Sequence, residues 1–218
     1  MNRREFSAQA LSAGVAAACA GLSPLALAQQ GTAPVEGKHY VKLNQPVPVA
    51  GGKIEVIEFF WYGCPHCNEF EPMLDAWSKQ LPSDVAFRRV PVAFRAEPFV
   101  MHQKIFYALD EMGLIPTMQR KVFYAIHGRH MRLDKPPEIG DYMQSQGVDS
   151  VKFLERLDSF SVQSKAKQAA KLAADYKIDG VPAIGIQGRF YTSGGLVGNM
   201  EGVIAVSNFL IDKVRNKG

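Results

Sequence analysis

Hydrophobic positions change period several times along the chain. Residues 53–61 crowd Ile54, Val56, Ile57, Phe59, Phe60 and Trp61 with little polar alternation toward the end, the pattern of a central strand. Upstream, residues 39–43 alternate well enough for an edge strand that Pro46 and Pro48 end, and Gly51-Gly52 marks a turn. Phe70, Leu74, Trp77 and Leu81 then recur at helical spacing until Pro82-Ser83-Asp84, and residues 85–92 read as the next strand. A strand, helix and strand joined this closely predict a right-handed crossover and parallel pairing.

From residue 98 to 176 the period is helical throughout. Phe99, Ile105, Phe106, Leu109 and Met112 mark one amphipathic helix, and Met118, Val122 and Ile126 mark a second that starts at Pro116. Pro136-Pro137 starts a third, Val151, Leu154 and Leu157 a short fourth, and residues 162–176 an Ala- and Lys-rich fifth. Strand character returns at 178–186 and 189–192 around Gln187-Gly188, a hairpin. Gly194-Gly195 breaks it, and Met200, Val203, Ile204, Phe209, Leu210 and Val214 form a closing helix. The organisation expected is an α/β domain in two parts, residues 29–97 and 177–218, around an all-helical insertion at 98–176.

The first residues change the length that must fold. Arg3 and Arg4 precede a small-residue and apolar stretch to Ala28, broken by Ser, Gln, Gly and Pro, which reads as a signal peptide over 1–28. Ala26-Leu27-Ala28 offers a cleavage site, and Arg3-Arg4 with Phe6 departs from the full twin-arginine pattern. Cleavage near Ala28 delivers the mature chain to an oxidising compartment and removes Cys19.

Cys64 and Cys67 then stand alone, too few for a disulfide scaffold and wrongly spaced for a structural zinc site, so their closeness predicts a redox pair and no cofactor beyond it. Zinc held by Cys64, His66 and Cys67 is cramped and lacks a fourth ligand. Lys plus Arg number 25 against 21 Asp plus Glu, without a basic tract, which gives nucleic-acid binding little support. Pro65 suits the first turn of a helix, so the cysteines lie at a strand-to-helix junction with Cys64 at the helix start. Unpaired N–H groups there favour a thiolate, and His66 between the cysteines adds a hydrogen bond or charge. A Cys64 thiol held far below its reference would make the dithiol form more stable than the disulfide at neutral pH.

Cys64-Pro65-His66-Cys67 after a hydrophobic strand, Glu58-Phe59-Phe60 before it, Phe70-Glu71 after it, a helical insertion and Val181-Pro182 before a hairpin together resemble the DsbA branch of the thioredoxin superfamily. The resemblance spans nearly all of the mature chain and departs from the family at Trp61-Tyr62-Gly63, where a serine or other small residue with aromatics is common. It implies a thioredoxin fold with a central mixed sheet and a thiol:disulfide oxidoreductase that donates its disulfide to exported proteins with cysteine pairs. Reoxidation by a membrane quinone-linked thiol oxidase of the DsbB type is implied too. An isomerase or reductase on the same residues, or a polypeptide-binding protein without catalysis, are the alternatives.

The resemblance further implies that Glu58 lies under the active-site helix and assists proton transfer at Cys67, against a sheet position facing outward or pairing with a lysine. It implies a cis Val181–Pro182 bond facing the cysteines, with Val181, Pro182 and Pro65 meeting the substrate main chain. Phe99, Met101 and His102 read more readily as core than as the lining of a groove beside Cys64. The absence of an N-terminal dimerisation segment points to a monomer.

Overall fold

The computed structural model describes residues 33–216; the leader, its cleavage site and Cys19 lie outside them. Strands β1 (Val41–Lys42), β2 (Ile54–Phe60), β3 (Val85–Pro91), β4 (Ala183–Ile186) and β5 (Phe190–Ser193) form one mixed sheet in the order β1-β5-β4-β2-β3. β2 pairs in parallel with β3 through the crossover helix α1 (Pro65–Ser78), and antiparallel with β4, which continues into the hairpin with β5. Helices α2 (Phe99–Glu111), α3 (Ile115–His127), α4 (Pro136–Ser145), α5 (Ser150–Leu157) and α6 (Phe160–Asp175) follow β3 in the chain and precede β4. α7 (Gly194–Val197) and α8 (Met200–Arg215) end it.

Local chemistry explains most boundaries. Asp149, Ser159 and Asn199 accept hydrogen bonds from the N–H groups of Lys152, Val162 and Gly202 and so start α5, α6 and α8. The hairpin turns through Gln187 and Gly188, both at positive φ, in a β-turn that the Arg189 N–H closes on the Ile186 carbonyl at 3.0 Å. The edge strand expected over 39–43 shrinks to two paired residues, although Leu43 and Val47 still donate to Arg189 and Gly188 beside the hairpin. The strand expected from 178 begins only at Ala183, because Pro182 has no N–H for the ladder. Gly194-Gly195, read as a break, opens the short helix α7, which Gly198 ends in the left-handed conformation.

Side-chain alternation on β2 separates the sheet's two faces. Ile54 and Val56 pack with Phe70 and Leu74 of α1 and Val203 and Leu210 of α8. Ile57 and Phe59 face Ala169 and Ala173 of α6. Phe60, at the end of the strand, joins Ile105, Leu109, Val122 and Phe123 of the inserted helices, and that third cluster contains Cys64 and Cys67. β3 lies at one edge of the sheet, where the Gln103 amide of α2 donates to the Pro91 carbonyl at 2.8 Å.

A methyl group on Gly185 of β4 would come within 2.6 Å of the Tyr176 ring and 3.0 Å of the Phe59 ring, both fully buried. Gly185→Ala is therefore expected to lower stability by about 2 kcal/mol through overpacking, read as a lower urea midpoint at an unchanged m-value.

Candidate active site

β2 ends at Phe60, and Trp61, Tyr62 and Gly63 turn the chain into α1. Cys64 is the N-cap of α1 in extended conformation and Pro65 is its first residue, so the helix begins without losing a needed donor. Both cysteines are free thiols and buried, Cys64 at 8% exposure and Cys67 at 0%. The Cys64 thiol donates to the Val181 carbonyl at 3.4 Å, and the Val181–Pro182 bond is cis. The Cys64 thiol occupies the Val181 carbonyl only while it carries its proton; the thiolate has no hydrogen to donate and leaves the Val181 main chain free.

The two sulfurs are unlike. A hydrogen bond from the Cys67 thiol, followed by the backbone N–H groups of Cys67 and His66 and least by His66 charge, outweighs burial and holds Cys64 down to about 6. Burial, then the hydrogen bond and charge of Cys64, push the Cys67 thiol well above its ordinary value. His66 reaches Cys64 chiefly through its main chain. Its imidazole is exposed and lies 3.2 Å from Glu69, one turn along the helix, because the side chain at this position of α1 points to solvent.

Glu58 shares a sheet face with Ile54 and Val56 and is fully buried, in line with the expectation that it lies under α1. Its partner is an arginine, not a lysine. Arg89 stands opposite Glu58 in the parallel β2–β3 register, with Nε 3.1 Å from Glu58 Oε2 and Nη2 2.8 Å from Glu71 Oε1. The contact with Glu58 is an ion pair without hydrogen-bond alignment, which leaves both Glu58 oxygens unpartnered. Burial, reinforced by the charge of Glu71 and only partly offset by Arg89, raises Glu58 to about 8. One guanidinium thus serves two buried carboxylates, and a carboxyl that holds its proton near neutrality lies below the cysteines.

Arg89 and Glu71 escaped the sequence reading as site residues. Glu71 follows Cys67 by four residues and so occupies the same helix face, and Arg89 follows from pairing the equal-length strands in register. Of the residues read as core, His102 is buried with Nε2 2.9 Å from the Arg132 carbonyl, while Phe99, stacked on Trp61 at 3.9 Å, and Met101 are only half-buried. Phe94 remains 41% exposed at the end of that stack.

Residues 55–201, the span from β2 to the start of α8, match the DSBA-like thioredoxin domain. The chain belongs to the DsbA family. It is 42% identical over 217 residues to the thiol:disulfide interchange protein DsbA of Burkholderia cepacia, with 99% of each chain covered. Against DsbA of Pseudomonas aeruginosa identity is 42% over 180 residues, 82% of this chain and 85% of that one. Crystal-structure similarity agrees: P. aeruginosa DsbA gives a TM-score of 0.80 at 41% identity over 83% of this chain and 94% of that one. The oxidoreductase NmDsbA1 from Neisseria meningitidis gives 0.75 at 28% identity over 84% and 95%. The chain is accordingly a DsbA-type thiol–disulfide oxidoreductase that transfers a disulfide to substrate proteins, with the inserted helical subdomain of DsbA structures. Exported substrates, a thiol-oxidase partner and periplasmic residence accord with that membership. Among the described residues no helix is long and apolar enough to cross a membrane, and no group of three or more His, Cys, Asp or Glu is placed to hold a metal ion.

The Cys64 value fixes a pH dependence. A thiol depressed on folding contributes stability that is complete above its unfolded reference of roughly 8.5 and is lost as pH falls through the folded value. With Cys64 at about 6 this contribution is about 1.4 kcal/mol at pH 7. Closing so short a disulfide loop recovers roughly 2 kcal/mol. The two terms nearly balance at pH 7, which moderates the expectation of a clearly more stable dithiol form. Urea unfolding of both redox forms is expected to show the gap moving by about 2.5 kcal/mol in favour of the dithiol between pH 5 and pH 8; a constant gap would contradict the depressed Cys64 value.

Proposed function

We propose that this protein is a periplasmic disulfide donor in which Cys64 is the sulfur that substrates attack, a reading carried by the contrast between a stabilised Cys64 thiolate and a buried, protonated Cys67. A substrate thiolate attacks Cys64 Sγ of the disulfide form. The Cys64–Cys67 bond breaks, its electron pair passes to Cys67 Sγ, and Glu58 supplies the proton that a buried thiol requires. The substrate's second thiolate then attacks the substrate sulfur of the mixed disulfide and expels Cys64, a good leaving group because its thiolate is stable. The substrate leaves with a disulfide and the protein with two thiols.

Val181 and Pro182 border the Cys64 sulfur, and an extended substrate segment pairs with the main chain of Val181 there, beside Pro65 and His66. Main-chain recognition makes the substrate range broad. A quinone-linked membrane oxidase of the DsbB type reoxidises the pair, the signal peptide is removed near Ala28, and the mature chain, residues 29–97 and 177–218 around the helical segment 98–176, acts as a monomer.

The redox equilibrium of the pair with glutathione tests the donor reading: a potential near about −120 mV, the poise known for DsbA, is expected, and one near the roughly −270 mV of thioredoxin would assign a reductase. Cys64→Ala is expected to abolish donation; a holdase would retain its activity. Glu58→Gln tests the acid. A carboxyl whose value rises on folding penalises the folded state increasingly from about pH 4.3 up to its folded value. Glu58→Gln should therefore match wild-type stability near pH 4 and exceed it increasingly as pH rises toward 8, while flattening the pH profile of Cys67 release. An unchanged rate profile would remove Glu58 from the proton path.

A further inference from the structure

The turn that delivers Cys64 to α1 is gripped from the inserted helices. Trp61, Tyr62, Gly63 and Cys64 form a β-turn closed by the Cys64 N–H, which donates to the Trp61 carbonyl at 3.0 Å. Gly63 is its third residue and lies outside the left-handed region. The Tyr62–Gly63 peptide could flip to the other common turn type, which needs positive φ at the third residue, because glycine adopts that conformation without steric cost. The flip would reverse the direction of the Tyr62 carbonyl. A side chain at Gly63 would meet the Trp61 ring at 2.4 Å, so the ring requires glycine there and the freedom to flip comes with it.

Two residues of α3 oppose the flip. His127 Nε2 is 2.8 Å from the Tyr62 carbonyl oxygen, which can only accept, so this nitrogen carries the hydrogen. The Tyr62 hydroxyl donates to Gln119 Oε1 at 2.6 Å inside the core. His127 and Gln119 are eight residues, just over two turns, apart on one helix, and Tyr62 is fully buried between its two contacts with them. His127 is itself fixed by stacking on Phe123, with ring centroids 6.2 Å apart.

We propose that His127 is a positioning residue for thiol–disulfide exchange: its hydrogen bond holds the Tyr62–Gly63 peptide in one orientation and thereby sets the reactivity of the Cys64 sulfur. The inference rests on Cys64 being the sulfur that exchanges. Donation to the carbonyl withdraws its partial negative charge from the region of a thiolate two residues on. It also keeps Cys64 at the N-cap, where the N–H groups of His66 and Cys67 reach the sulfur. Both effects favour the thiolate. The other groups acting on Cys64 are Cys67, His66, Glu58 and the Val181 carbonyl, and those beside His127 across the cleft between α1 and α3 are Glu71 and Arg120. All of these groups are present in the wild type and in both variants below.

Cys64 is titrated by thiolate ultraviolet absorbance in the reduced wild type, His127→Phe and His127→Gln, with urea unfolding of each. Phenylalanine keeps the stack on Phe123 without the donor, and glutamine keeps a donor. His127→Phe is expected to raise the Cys64 value by about one unit, with correspondingly slower expulsion of Cys64 from a mixed disulfide, and His127→Gln to recover most of the loss. A His127→Phe protein that is less stable but titrates as wild type overturns the inference. So does an equal rise in both variants, which would show that imidazole charge and not the donated bond acts on Cys64. Failure of both variants to fold would assign His127 to the scaffold and overturn it as well. If wild-type Cys64 itself titrates near the reference of roughly 8.5, the reading of Cys64 as the reactive thiolate fails, an outcome distinct from the others.

Discussion

A thiolate in a protein needs donors, and the first turn of α1 supplies them: the Cys67 thiol foremost, then the first N–H groups, which helical geometry leaves without partners. The surrounding chemistry depends on which sulfur occupies that end. Cys64, as the N-cap, faces those donors, while Cys67, three residues on, is carried into the core under the same helix. Two chemically identical side chains acquire opposite proton affinities from position alone, and that difference gives the exchange its direction: one sulfur leaves easily as an anion and the other waits for a proton.

The scaffold divides the work of holding this arrangement. The sheet sets the acid below the cysteines, since the pleat of β2 sends Glu58 to the face covered by α1, and the parallel register with β3 brings Arg89 beside it. The inserted helices set the apolar wall. Cys64 and Cys67 share a cluster with Phe106, Leu109, Met118, Val122 and Phe123, so the reactive pair of a thioredoxin-type domain is packed largely by residues from outside the sheet. Burial by these helices contributes the largest upward effect on Cys67, and it is the reason a nearby proton donor matters.

Much of this was legible from the residues because the relevant signals are local. Strand period, helix period, Pro65 at a helix start and Gln187-Gly188 in a turn each act over a few residues, and the elements they predict are present. What escaped depends on contacts distant in sequence. Glu58 announced itself as a carboxylate in an apolar strand, but its partner required the register between two strands. The His66 imidazole, adjacent to the cysteines in the chain, points away to Glu69, because sequence neighbours on a helix project in different directions. The Tyr62 contacts with Gln119 and His127 span 57 and 65 residues, and no periodic pattern encodes them.

The edges of the sheet carry a further consequence. Unfolded clients of a disulfide donor present exposed strands, and any open sheet edge would capture them wherever it lay, far from the cysteines as readily as beside them. β1 is only two residues long, and β3 ends at Pro91, whose carbonyl is occupied by Gln103. Short length and an occupied acceptor both discourage strand addition. The borders of this sheet are therefore poor templates for an added strand, from a second copy of the chain or from any other polypeptide.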